Sequence, residues 1–202
     1  MMNTETFSAY EDFMACADFH GHICPGLSIG YRAAKEGLKT LDERRSVDEE
    51  IVAIVENNAC GTDAVQVLTG CTFGKGNFIY KDHGKQVFTF LGRDSGTGVR
   101  FAMRPDVIQL NDEHRELMEK IREETAEADE KERFWKLHQQ KSREILDTPV
   151  DRLFSRRWVD LALPPKARIE PSVSCDKCGE PTMVSKLTEQ GGQQRCRECL
   201  EE

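Results

Sequence analysis

Ile51-Val52-Ala53-Ile54-Val55-Glu56-Asn57-Asn58-Ala59-Cys60-Gly61-Thr62-Asp63 is the stretch on which the fold reading turns. Its first five residues are apolar with no polar alternation, the pattern of a strand covered on both faces. The strand ends at Asn57-Asn58-Ala59-Cys60. A short helix from Thr62 or Asp63 through Leu68 follows, closed by Gly70 as a left-handed cap.

Upstream, Tyr10, Phe13, Met14 and Ala17 recur at helical spacing and predict a first helix from about Ser8 to Ala17. A second helix starts near Pro25, with Leu27, Tyr31, Ala34, Leu38 and Leu41 as its apolar stripe. Downstream, Phe78-Ile79-Tyr80 and Gln86 to Leu91 flank Lys81-Asp82-His83-Gly84-Lys85, which reads as a β-hairpin turn with Gly84 at a positive φ. Val99 to Met103 supplies a further strand, ended by Pro105. Helices first, then strands with one helix inserted, favour an α+β fold over a regular parallel α/β fold. The expected architecture is a mixed helix and antiparallel-sheet core domain over residues 1–110, with a charged helical extension over 111–148. A proline-marked linker over 149–171 and a small C-terminal zinc finger over 172–202 complete it.

The extension carries twelve acids against eight bases between Asn111 and Asp147, with sparse apolar marks at Leu117, Ile121, Trp135, Leu137, Ile145 and Leu146. It reads as one or two solvated or dimerising helices. Across the whole chain 38% of residues are hydrophobic and 32% charged, with a net charge of −8. That balance argues against a duplex nucleic-acid binder, which needs clustered Lys and Arg to displace counterions. The longest apolar run, Ile51 to Val55, is far too short for a membrane span. Met-Met-Asn-Thr-Glu-Thr has neither the positive flank nor the apolar stretch of a secretory signal, so a reducing cytoplasm is the expected location.

Eight cysteines in a reduced chain point to metals or redox chemistry. Cys175-Asp176-Lys177-Cys178 and Cys196-Arg197-Glu198-Cys199 are two Cys-x-x-Cys knuckles separated by seventeen residues. Four thiolates at this spacing close a tetrahedral zinc shell with no open position, which makes the expected site structural. So short a tail cannot build an apolar core, so the metal would supply most of its folding free energy. Two disulfides or a redox pair are the alternative. From Ser172 onward four bases face six acids, which favours a protein-docking finger of treble-clef or zinc-ribbon type over a nucleic-acid finger.

Phe19-His20-Gly21-His22-Ile23-Cys24-Pro25-Gly26 packs three soft-metal donors into five positions. In an extended chain His20, His22 and Cys24 share one face. Cys24 also stands at an expected helix start, where the dipole and free N–H groups lower a thiol pKa. Cys60 stands at a strand-to-helix corner beside Gly61, Thr62 and Asp63. The four are candidates for metal or thiol chemistry, with zinc, iron or a bound cofactor as the occupant. Cys16 reads as buried packing, and Cys71 as either packing or part of a site. Gly70-Cys71-Thr72-Phe73-Gly74-Lys75-Gly76 has one residue too few between its glycines for a phosphate loop and no Ser or Thr after the lysine. Lys75 is nonetheless placed to hold an anionic group.

The segment Phe19 to Gly26, followed by Glu56 to Gln66 and Thr69 to Asn77, resembles the E-subunit family of formylmethanofuran dehydrogenase; Asp82-His83-Gly84-Lys85 also looks like that family's hairpin. The resemblance covers most of the first hundred residues, and the four-cysteine tail is similar to that of members with an auxiliary zinc finger. It implies a dimeric α+β core with a cavity lined by the His and Cys motifs. His20, His22, Cys24 and Cys60 are then candidate ligands, and Asp63, Gln66, Cys71 and Lys75 cavity or cofactor-binding candidates. The implied function is a metal-binding accessory protein of molybdenum or tungsten redox enzymes, with the finger docking a protein partner. A metal-dependent enzyme, redox or hydrolytic, and a zinc-finger adaptor or regulator are the competing readings.

Overall fold

The computed structural model describes Phe7, residues 10–105 and residues 107–201. The N-terminal hexapeptide and the expected helix start at Ser8 lie outside them. Two compact units are present, residues 1–166 and 167–202.

The first unit opens with α1 (Glu11–His20) and α2 (Pro25–Leu41). Pro25 occupies the first helical position, where its missing N–H costs nothing. Strand β1 (Ile51–Val55) follows, then α3 (Gly61–Thr69), β2 (Phe78–Tyr80), β3 (Val87–Gly92) and β4 (Gly98–Met103). Next come α4 (Asp112–Arg122), α5 (Ala128–Asp147), the single turn α6 (Val150–Leu153) and β5 (Phe154–Val159). The strands form one sheet in the order β2-β1-β3-β4-β5.

That order corrects the expected hairpin between β2 and β3. β1 lies between them, parallel to β2 (Ala53↔Phe78) and antiparallel to β3 (Ile51↔Gly92, Val55↔Phe88). Pairing β2 directly with β3 would leave β1, the most apolar strand, without a partner on one side; central placement satisfies both of its edges. Lys81 to Lys85 therefore bridges two strand spacings, about 9.5 Å. It is fastened to the end of β1 by Lys81 N–H to Val55 O and Lys85 N–H to Glu56 O, 2.9 and 3.0 Å. Gly84 does take a positive φ, +63°. The tight antiparallel connection is the β3–β4 loop instead, across Gly92 to Gly98.

All five β1 residues are buried, as the unbroken apolar run predicts. Ile51, Ala53 and Val55 join Phe88, Phe90, Val99 and Phe101 beneath the helices, while Val52, Ile54 and Leu91 face the other side with Val159 and Leu163. Gly37 of α2 lies over Phe90: a Cβ there would sit 2.3 Å from the ring, so the helix approaches the sheet only because the residue is glycine.

Within the stretch read as a linker, β5 pairs in full register with β4 (Arg100↔Arg157, Met103↔Phe154). Its consecutive Arg156 and Arg157 hid the strand, since an edge strand exposes charge that a buried one cannot. The acidic extension is two helices. They enclose Leu117, Phe134 and Leu137, and Ile145 and Leu146 reach the main core. Arg32 donates to the carbonyls of Ile145 and Leu146 at the end of α5.

The second unit consists of the hairpins β6 (Ser172–Ser174)/β7 (Pro181–Met183) and β8 (Leu187–Gln190)/β9 (Gln193–Cys196), then α7 (Arg197–Glu201). No helix among the described residues is long and apolar enough to cross a membrane.

Candidate metal centre

α1 ends at His20 because Gly21 turns left-handed, φ +93°, and returns its N–H to Ala17 O at 2.8 Å. The chain then passes His22 and re-enters a helix with Cys24 as N-cap, its sulfur accepting from Leu27 N–H at 3.4 Å. The three donors converge at a helix–turn–helix corner, which replaces the extended segment expected from their alternation. Cys60 occupies the N-cap position of α3. Asn57 shapes the approach to it, accepting from Ala59 N–H at 3.0 Å and donating to Lys85 O at 2.6 Å.

Close packing of α2 on α3 brings Cys60 to the corner. A Cβ on Gly30 would lie 2.0 Å from Gly61 O, so the backbones touch where neither residue has a side chain. A Cβ on Gly26 would come within 3.2 Å of Cys60 Cβ and 4.0 Å of Cys24 Sγ, so glycine there keeps the space between the thiols open.

The donor atoms of His20, His22, Cys24 and Cys60 all lie within 4.8 Å of one another. His20 Nε2 is 3.9 Å from Cys24 Sγ, close to the ~3.5 Å edge of a tetrahedron with zinc–sulfur and zinc–nitrogen bonds. Two imidazoles and two thiols are a donor set that zinc and iron accept. Asp63 Oδ2 pairs with His20 Nδ1 at 2.7 Å, which turns Nε2 toward the sulfurs as a carboxylate does behind a metal-bound histidine. The residues present fit a metal.

Electrostatics within the quartet are asymmetric. Burial alone would lower the His20 pKa, but the hydrogen bond to Asp63 and the neighbouring Cys60 charge outweigh it and raise it. The Cys24 thiol donates to Cys60 and, against burial, pulls Cys60 down to about 5, with His20 helping. Cys24, as donor and buried, moves up. The pair thus favours the proton on Cys24 and the negative charge on Cys60.

Of the cavity candidates, Asp63 belongs to the site and Gln66 reaches it only through Asp63 Oδ1, at 3.5 Å. Cys71 and Lys75 lie elsewhere. Cys71 is fully buried under the sheet with its thiol on Ile51 O at 3.3 Å, and burial raises it to about 11. Lys75 Nζ contacts Val47 O at 3.3 Å. Cys16 packs against α3, its thiol 3.3 Å from Asp12 O.

Sequence reasoning missed a histidine group on the extension. Trp135 meets His22 edge-on at 5.5 Å and His138 at 5.8 Å. His138 Nδ1 lies 2.7 Å from buried His114 Nε2, one imidazole donating to the other. Their only sequence signal is two histidines among sparse apolar residues of charged helices.

In the second unit the sulfurs of Cys175, Cys178, Cys196 and Cys199 also fall within 4.8 Å of one another. The first pair brackets Asp176 and Lys177, with Gly179 at φ +79° directly after it; the second sits at the end of β9 and in α7. The turn after β6, the end of the β8/β9 hairpin and α7 together supply the four sulfurs. Backbone N–H groups of Cys178 and Cys196 lower Cys175 to about 6.

The sequence model of a family described as "FmdE, Molybdenum formylmethanofuran dehydrogenase operon" matches residues 19–155. A "Probable S-adenosyl-L-methionine-binding protein" of Archaeoglobus fulgidus is 36% identical, with 84% of this chain covered. The chain spans only 48% of that relative's length. Among solved structures, an FmdE-like protein of the tungsten formylmethanofuran dehydrogenase type from Syntrophus aciditrophicus aligns with a TM-score of 0.57 and 24% identity, over 98% of this chain and 89% of that one. That likeness supports the fold. The family match runs from the first histidine motif through α6 to the start of β5 and, with the archaeal relative, places the conclusion beyond resemblance: the chain belongs to the FmdE family.

Proposed function

We propose that this chain is a metal-binding accessory protein of molybdenum or tungsten redox enzymes, with zinc or iron held by His20, His22, Cys24 and Cys60. The observation that carries this reading is the convergence of four soft donors from two separate helix starts and one helix end. A bound metal would act as a Lewis acid or a folding cross-link. Four protein donors fill a tetrahedron, so a further ligand enters only by expansion of the shell or release of one donor. That favours holding over hydrolysis, which needs an open position.

The finger, taken with zinc on Cys175, Cys178, Cys196 and Cys199, serves as the docking module in this reading. Its support is the acidic balance and the exposed Val173, Met183 and Val184, apolar surface on a small unit. The reading extends to a homodimer, which sedimentation tests directly.

The experiment is association of the metal-loaded chain with a purified molybdenum or tungsten formylmethanofuran dehydrogenase-type oxidoreductase, followed by interferometry. Saturable binding that a Cys178→Ser/Cys199→Ser chain loses supports the reading. No association, or binding indifferent to those substitutions, contradicts it. S-adenosylmethionine is the first small molecule to titrate, because the archaeal relative's name carries it.

A further inference from the structure

The outer face of the sheet, away from the helices, holds a cavity of about 280 Å³ at the C-terminal end of β1. It shares no residue with the His/Cys quartet. One wall is the Lys81–Lys85 loop, the other the chain leaving β5 at Val159 and Leu161, and Ile54 and Thr89 form the floor. Arg100 and Arg157, directly opposed in the β4–β5 register, both line it. Its volume is near the lower end of small-ligand sites, about 300 Å³.

The charge is one-sided. Lys81, Lys85, Arg100 and Arg157 line the cavity together with His83, and Glu56 is the one carboxylate among the lining residues. Glu56 is already engaged: Oε1 accepts from Arg100 Nη2 at 3.0 Å and Nε at 3.3 Å, and Oε2 pairs with His83 Nδ1 at 3.2 Å. Asp82 of the same loop raises the pKa of the neighbouring Tyr80 hydroxyl and is not among the lining residues. Lys81, Lys85 and Arg157 have no carboxylate within ion-pair distance among the described residues. In a chain of net charge −8, a cationic pocket of this kind is against the average.

The scaffold is also rigid. Both ends of the basic loop are hydrogen-bonded to the last residues of β1, and Asn57 clamps Lys85 O. Glu56 holds Arg100 in place. The backbone beneath Lys81 and Lys85 and the Arg100 side chain are thus set before any ligand arrives, while the exposed side chains of Lys81, Lys85 and Arg157 order on binding.

The geometry points to a binding site for a small phosphorylated organic molecule, its dianionic phosphoryl group held by Arg157, Lys81 and Lys85 beside Arg100, and its apolar portion on Ile54, Val159 and Leu161. A dianion offsets most of the charge excess, where a monoanion leaves the pocket strongly positive. Guanidinium groups match phosphoryl oxygens bidentately.

The test is a titration of the full metal-loaded chain with pyrophosphate, and separately with malonate, followed by backbone amide NMR shifts. Saturable pyrophosphate shifts centred on residues 81–85, 100 and 157 are expected, weaker with added salt. Exposed Arg157→Gln, with Lys85→Gln as a second variant, should each weaken binding about tenfold or more while leaving the spectrum folded. Three results would each overturn the assignment: no saturable shift, shifts centred on His20 to Cys24 and Cys60, or both variants binding as the parent does. Malonate binding tighter than pyrophosphate would overturn the phosphoryl preference.

Discussion

Asp63 touches no candidate metal directly, yet it fixes which nitrogen of His20 faces the sulfurs. Asp63→Asn is expected to weaken the core metal by about 10- to 100-fold while leaving the finger metal in place, measured by competition with a chromophoric chelator. Among the first unit's thiols in metal-free protein, Cys60 is the partly exposed one whose pKa falls to about 5, so it should be alkylated before Cys16, Cys24 and Cys71 at neutral pH. Cys16 and Cys71, raised to about 12 and about 11 by burial, should resist. Peptide mass spectrometry reads the order, and preferential labelling of Cys71 would contradict it. At this scale His20, His22 and Cys24 were legible because His and Cys at short spacing have few other uses, while Cys60 was marked only by its place at the strand-to-helix corner. Cys71 was left open between packing and a site because a buried packing thiol and a ligand thiol share one letter, and burial is a property of the whole fold.

Elements set the quartet's geometry through two touching backbones. Gly30→Ala would place a methyl group against Gly61 O, so α2 and α3 must separate. The expected cost is about 3 kcal/mol or more in urea unfolding, with loss of the core metal, since Cys24 and Cys60 start those two helices. Unchanged stability would show that the helices are further apart. The extension carries an acid limb of its own. Burial, then the proximity of His114 and His22, pushes His138 down to about 4 from its ordinary 6.5. Between those values the unfolded chain binds the extra proton, so stability falls as pH drops from about 6.5 to 4. Solvent screening of the half-buried ring brings the loss to on the order of 2 kcal/mol. His138→Leu should flatten that limb in denaturant titrations at stepped pH; an unchanged limb would assign it to other groups. The helices themselves were legible from apolar spacing and caps. The β2-β1-β3 order was not, because a basic five-residue loop with one glycine suits a hairpin and a longer bridge equally well. Strand β5 stayed hidden because its edge position lets Arg156 and Arg157 stand where a central strand would need apolar residues.

The whole molecule is two compact units with one soft-donor group in each. The finger's cysteines declared themselves by spacing alone, since ligands supplied by two short turns leave a local record. The core quartet spans the chain from His20 to Cys60, and only the packing of α2 on α3 gathers it, so its sequence trace is residue type without geometry. The central claim is that this second group holds a metal of its own. Elemental analysis of the purified full chain, beside Cys60→Ser and Cys178→Ser/Cys199→Ser, tests it most directly. One metal for each four-donor group is expected in the parent, with each variant losing one and keeping the other. A folded Cys60→Ser chain that retains the parent's full metal content would contradict the account.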